Sequence, residues 1–252
     1  MGESINKIQV VVLAAGQGKR MANKELPKVL VSFRGVPLIK HLLKSIKESQ
    51  VCIRPVIVVG QKAELVKEAL GSDYDYVTQT EQFGTGHAVA ATRIALENKA
   101  QNILVLYGDH PFVSADTIKK LVADHIAKQA TITMATVKVD NFTDWRQGFD
   151  DFGRVLRNIK GEICGIVEKR DATPKQLKIT ELNPAYFCFN AVWLWHNLTK
   201  LKNNNIQSEY YITDLVTLAC TRDKRIASIT ISEKEALGVN TAEQLKLLEN
   251  IN

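Results

Sequence analysis

Several things are scarce in this chain of 252 residues, and each scarcity closes a class of function. Its four cysteines, Cys52, Cys164, Cys188 and Cys220, lie far apart, and none forms a CxxC pair. That excludes a zinc ribbon and a disulfide-stapled scaffold and suits free thiols in a reducing compartment. The five histidines are equally dispersed and mark no metal cluster. The six prolines and 14 glycines gather into no linker. One domain over residues 1–252 is therefore predicted, with no internal repeat and no low-complexity segment. The longest apolar run near the start, Val10 to Ala15, is far too short to cross a bilayer. The opening residues lack the apolar stretch of a signal peptide, and Asn6 stands where a myristoylation signal needs Ser or Thr, so a cytoplasmic protein without a membrane partner is predicted.

Hydrophobic residues make up 45% and charged residues 24%, the balance of an ordinary globular protein with enough apolar material for a sizeable core. The net charge of +6 favours anionic partners. The lysines form no basic tract and no aromatic-interleaved patch, so a small polyphosphate suits this charge better than a nucleic acid does. The sequence carries no signal of oligomeric state.

Strand and helix patterns alternate through the first half. The short continuous apolar run 8–13 reads as a buried parallel strand, 103–106 as another buried strand, 55–59 and 74–78 as further strands, and 37–49, 63–70, 85–96 and 114–128 as helices, the last capped by Ser114. Such alternation implies βαβ units: an α/β fold with an open, mostly parallel, Rossmann-like sheet and helices on both faces. The second half is richer in strands, at 131–139, 153–155, 163–168 and 225–231, with a long aromatic strand at 185–195 and helices at 209–220 and 241–248. It reads as a smaller strand-rich lobe.

Ligands of such sheets bind beyond the carboxyl ends of the strands. Two predicted loops leave such ends. The first carries Leu13-Ala14-Ala15-Gly16-Gln17-Gly18-Lys19-Arg20-Met21 and then Leu26-Pro27-Lys28. Glycines that let backbone amides approach a ligand, followed by the cations Arg20 and Lys28, suit a triphosphate. It is neither a dinucleotide fingerprint, which needs a small residue where Met21 stands, nor a P-loop, which needs Gly-Lys-Ser/Thr. The second carries Tyr107-Gly108-Asp109, whose carboxylate suits Mg²⁺ or a turn before Pro111.

The first block resembles the LAAGxGxRM…PK signature of the sugar-1-phosphate nucleotidyltransferases. Further blocks follow in register: Gln79 to Ala88, Tyr107-Gly108-Asp109, Gly153-Arg154 with Gly165 to Lys169, Asn203-Asn204-Asn205, Glu209 to Asp214, and Gly238-Val239-Asn240. Within that family they are most like the uridylyltransferase domain of the bifunctional enzymes that make UDP-N-acetylglucosamine. The resemblance implies a transfer of UMP from UTP to N-acetylglucosamine 1-phosphate with Mg²⁺ as cofactor. It implies that Arg20, Lys28 and Asp109 are catalytic and that Asp109 and Asn240 hold the metal. Leu13, Ala14, Ala15, Gly16, Gln79, Gly84 and Thr85 would bind the nucleotide. Tyr107, Gly108, Gly153, Glu168, Asn183 and Asn240 would bind the sugar phosphate. It further divides the chain into a nucleotide-binding part, about 1–130, and a sugar-binding part, about 131–252, with no acetyltransferase β-helix. Two positions depart from the pattern. Asn183-Pro184-Ala185 stands where the related domain has Asn-Thr-Gly, and His110 where it has a small apolar residue. Those departures leave open another sugar or nucleotide, such as glucose 1-phosphate or dTTP, and a non-catalytic nucleotide-sugar sensor on the same fold.

Overall fold

The computed structural model describes residues 6–16, 18 and 26–250. The strands are β1 (Asn6–Ala14), β2 (Ser32–Phe33), β3 (Val36–Pro37), β4 (Val56–Val59), β5 (Asp75–Thr78), β6 (Ala100–Tyr107), β7 (Ile132–Lys138), β8 (Gly153–Arg157), β9 (Ile163–Val167), β10 (Glu181–Asn183), β11 (Phe187–Asn190) and β12 (Ile226–Thr230). The helices are α1 (Leu38–Ser49), α2 (Ala63–Leu70), α3 (Thr85–Ala91), α4 (Arg93–Leu96), α5 (Ala115–Ala127), α6 (Ala191–Leu198), α7 (Asp214–Cys220), α8 (Glu233–Ala236) and α9 (Ala242–Glu249).

Among the described residues, all strands but the β2–β3 hairpin join one mixed sheet in the order β5-β4-β1-β6-β11-β7-β10-β8-β9, with β12 beside β7. The first four strands in this order are parallel, as the alternation of strands and helices predicted. From β11 outward the pairing is antiparallel, apart from the parallel pair β7–β12. Alternation along β1 divides the core between the two faces. Val10, Val12 and Ala14 join the side chains of α1 and α5 on one face; Val11, Leu13 and Ala15 join α3, α6 and α7 on the other. Both faces are thus helix-covered, which is why β1 reads as unbroken apolar sequence rather than as an alternating one. Among the described residues, no helix is long and apolar enough to cross a membrane.

Local chemistry sets most boundaries. Ser114 accepts from the Thr117 amide and starts α5 as predicted, and Thr241 does the same for α9 through the Gln244 amide. The predicted helix 85–96 is broken at Thr92. There the side-chain hydroxyl bonds back to the Val89 carbonyl at 2.7 Å, a competition that disrupts helices. The long strand expected at 185–195 is corrected. Asn190 Oδ1 accepts from the Trp193 amide at 3.0 Å, capping α6, so the aromatic run ends as helix. A short apolar run is compatible with either buried state, and the cap decides. The helix expected from Glu209 starts only at Asp214, because 209–212 is drawn onto the loop before α3: Tyr210 N–H donates to Phe83 O, Gly86 N–H to Tyr210 O, and Ile212 N–H to Thr85 Oγ1.

Candidate active site

The ends of β1 and β6 lie side by side, with Leu13 opposite Tyr107 in the parallel register. The segments leaving them border a cavity of about 580 Å³. Its lining brings together Leu13, Ala15, Gly16, Lys28, Gln79, Gly84, Thr85, Tyr107, Asp109, Gly153, Glu168, Asn183 and Asn240, all singled out in the sequence. Two others fall behind this lining. Ala14 points into the core and borders a smaller neighbouring cavity. Gly108 backs onto Val29 and Ile39, so its part is to let the loop pass close to them. Arg20, with Gln17, Lys19 and Met21, lies outside the described residues.

The centre of the site is one ammonium between two acceptor oxygens. Lys28 stands in a 3₁₀ turn, Lys28–Leu30, just after Pro27. Its Nζ donates to Asp109 Oδ2 and, at 2.8 Å, to Asn240 Oδ1. The three residues come from distant parts of the chain. Val239 N–H ties the last to the second by donating to Asp109 O at 3.0 Å. Asn240 N–H is held in turn by Gln244 Oε1 at 2.7 Å, from the first turns of α9. Burial works against a charge on Asp109, yet the Lys28 ammonium holds its carboxyl below the usual carboxylate range.

On one side of this centre lies a pocket of amides. Gln79 is buried, and its Nε2 donates to Gly84 O at 3.2 Å and meets His87 Nδ1 at 3.1 Å. Gly84 has φ +102°, and a Cβ there would come within 2.8 Å of the Tyr210 carbonyl. Only glycine lets the 84–86 turn pass so close to the segment that covers it. Gln82, which the sequence reading did not single out, reaches back to the Ala15 carbonyl at 2.5 Å and joins the first loop to this pocket.

On the other side, β8 and β10 pair so that Asn183 stands opposite Gly153, and Glu168 follows β9. Glu168 Oε1 accepts from Thr213 Oγ1 at 2.9 Å. Burial, and then the carboxylates of Asp214, Asp171 and Glu209, push its pKa up. Asn183 Oδ1 accepts from the Ala185 N–H at 2.9 Å, closing a turn in which Ala185 has φ +70°. Pro184 and Ala185 both face the cavity. Beneath this wall, Arg154 is wholly buried. Its guanidinium donates to the carbonyls of Asp150 and Phe152 at 2.6 and 2.5 Å and to Asp150 Oδ1 at 2.6 Å, fixing the strand start that carries Gly153.

Sequence reasoning missed Gln82, Phe152, Gln207, Tyr211 and Thr213, which also line the cavity. Tyr211 and Thr213 lie in a block that the resemblance had marked, but as an expected helix. Gln207 and Tyr211 hold each other at 2.7 Å, Nε2 to the phenol oxygen, and no spacing in the sequence announces that contact.

Comparison with known proteins adds an independent line. Residues 10–187 match the family model described as the MobA-like NTP transferase domain. The chain is similar to the bifunctional protein GlmU of Brevibacillus brevis, 39% identical over 246 residues, covering 97% of this chain and 51% of that one. It is similar also to the bifunctional protein GlmU of Clostridium acetobutylicum, 37% identical over 237 residues, covering 93% and 50%. It therefore spans about half the length of these curated relatives. Among solved structures, a putative glucose-1-phosphate thymidylyltransferase from Bacillus anthracis in complex with sucrose superposes with a TM-score of 0.75 at 20% identity, covering 97% of this chain and 96% of that one. A UDP-glucose pyrophosphorylase complexed with UDP-glucose gives 0.75 at 18%, covering 97% of each. At such identities the two structures speak for the fold.

Proposed function

From the premise that this chain belongs to the MobA-like NTP transferase domain family, we propose that it transfers UMP from UTP to N-acetylglucosamine 1-phosphate, giving UDP-N-acetylglucosamine and pyrophosphate. The observation that carries the reading is the convergence of Lys28, Asp109 and Asn240 on one point at the carboxyl edge of the parallel strands, in a cavity that the Gln79 amide and the Glu168 carboxylate also line.

In the reaction, a phosphate oxygen of the sugar 1-phosphate forms a bond to the α-phosphorus of UTP. The bond from that phosphorus to the bridging oxygen of the β-phosphate breaks, and pyrophosphate leaves with the electron pair. No protein nucleophile is needed, so catalysis is positioning plus charge neutralisation. Gln79 commits its Nε2 to Gly84 and His87, and its amide oxygen would accept the N3–H of uracil. Gly84 and Thr85 would border the base, and Ala15 and Gly16 the ribose and phosphates. Lys28 would lie against the α-phosphate, its charge acting where negative charge is crowded by the incoming phosphate. Arg20 would meet the leaving phosphates. Glu168, an acceptor held by Thr213, and the Asn183 Nδ2 would bind sugar substituents, with Gly153 leaving them room.

The donor set fits a hard divalent cation. Asp109 and Asn240 present two oxygens to one cationic position, which the Lys28 ammonium takes here, and a Mg²⁺ ion needs few protein oxygens because water and phosphate complete its shell. Asp109 and Asn240 would hold it. When bound, it would withdraw charge from the α-phosphate. Among the described residues, no group of three or more His, Cys, Asp and Glu forms a rival metal site.

The proposed division of labour puts the nucleotide on about 1–130, with Gln79, Gly84 and Thr85, and the sugar on about 131–252, with Gly153, Glu168 and Asn183; all six residues line the one cavity. The test is a panel of nucleoside triphosphates against sugar 1-phosphates with pyrophosphate as readout. UTP with N-acetylglucosamine 1-phosphate should lead. Silence across the panel, with nucleotide sugars still binding, would replace the enzyme by a sensor.

A further inference from the structure

His110 follows the candidate metal ligand Asp109 directly, and the proposed chemistry makes no use of it. Its surroundings are specific. Tyr186 Oη donates to the Glu235 carbonyl at 2.7 Å, so its only hydrogen is committed. His110 Nδ1 lies 2.7 Å from the same oxygen and must therefore carry the hydrogen that Tyr186 accepts. That fixes the ring as the Nδ1–H tautomer. Both residues are buried, and their rings meet edge to face at 5.3 Å.

The other end of the ring touches both halves of the candidate metal site. His110 Nε2 stands 3.7 Å from Asp109 Oδ1. On its far side it is packed against Gly238, where an added Cβ would fall 2.5 Å from Nε2. Gly238 opens the loop whose next residue, Val239, donates to Asp109 O and whose following residue is Asn240. The imidazole is thus a spacer between two loops that each deliver one oxygen donor. Glu235, whose carbonyl anchors the relay, is itself held by Ser114 and Thr117 at the start of α5 and by Ser232, the N-cap of α8.

We infer that His110, clamped by Tyr186, is a positioning residue that sets the separation of Asp109 and Asn240 for a divalent cation, with Gly238 as the space that admits the ring. The inference rests on the metal reading of the site proposed above. Groups that orient metal ligands are commonly worth about tenfold or more in metal affinity.

The test uses Mn²⁺ as the probe, with the full chain. Water-proton relaxation measures binding of Mn²⁺·UTP, and calorimetry in EDTA measures binding of UTP alone; their ratio is the gain due to the metal. Tyr186→Phe keeps the ring and removes the clamp, and should cut that gain about tenfold while UTP alone binds as before. Gly238→Ala should do the same by displacing the imidazole. Asp109→Asn separates the two readings. If it leaves the gain intact, the metal site itself is misplaced and the inference falls with it. If it abolishes the gain while Tyr186→Phe and Gly238→Ala leave it unchanged, the metal reading stands and the positioning role is refuted.

Discussion

The wall formed by Pro184 and Ala185 should narrow the preference between sugars. In this turn the Ala185 N–H is already taken by Asn183 Oδ1, and Pro184 has no N–H to give. Asn183 Nδ2 is therefore the donor that the segment 183–185 retains toward the cavity. Ala185 also holds φ +70°, a left-handed conformation that costs a residue with a Cβ about 1–2 kcal/mol. Consider the double variant Pro184→Thr/Ala185→Gly. The glycine removes the strain and the methyl, while its own greater freedom in the unfolded chain costs roughly 0.5–1 kcal/mol. The two terms nearly offset, so unfolding stability should change by no more than about 1 kcal/mol. The threonine restores one backbone donor, worth about 0.5–1.5 kcal/mol. That corresponds to roughly a threefold to tenfold change in preference. The assay compares kcat/KM for N-acetylglucosamine 1-phosphate and glucose 1-phosphate in both proteins. The variant's ratio should rise by that factor in favour of the acetamido sugar. An unchanged ratio in a stably folded variant would refute this account of the wall.

Two further outcomes follow from single residues. Lys28→Met should lower kcat by on the order of a hundredfold with a smaller change in the KM for UTP, because the charge is aimed at the reacting phosphate; a pure KM effect would demote Lys28 to a binding residue. His125, buried between Thr133 Oγ1 at 2.9 Å and Asn102 Oδ1 at 3.1 Å, has its pKa pushed by burial down to about 4 from an ordinary 6.5. The unfolded chain takes up this proton first, so the contribution is intact above pH 6.5 and is lost as pH falls towards 4. It should amount to roughly 1–3 kcal/mol. Urea unfolding of wild type and His125→Gln across that range should show a shallower acid decline in the variant, and parallel curves would contradict the assignment.

The parallel half of the fold was legible because its physics is local. Buried strands are apolar throughout, helices show one apolar face, and Ser114 and Thr241 cap as their side chains dictate. The run 185–195 was misread because the same apolar string suits a strand or a buried helix, and the deciding contact is a single cap, Asn190 to Trp193. The antiparallel strand β10 escaped notice because Glu181–Asn183 is too short to display a period. At the site, motifs located Lys28, Asp109 and Asn240, but no sequence pattern could state that one ammonium bonds both oxygens. Gln207, which lies in no marked block, belongs to the cavity through tertiary contacts such as its bond to Tyr211. His110 shows the reverse case. It looked like an isolated oddity in the chain, and its meaning lies in partners 76 and 128 positions away, Tyr186 and Gly238.

The central claim is attack on the α-phosphorus of UTP at a site organised by Lys28, Asp109 and Asn240. It is tested most directly with UTP labelled at the α-phosphorus, N-acetylglucosamine 1-phosphate and Mg²⁺, with wild type and Asp109→Asn run side by side. The account predicts label in UDP-N-acetylglucosamine, an equal amount of unlabelled pyrophosphate, and loss of both when the variant is used. Label released as UMP, inorganic phosphate in place of pyrophosphate, or full turnover by Asp109→Asn would contradict it.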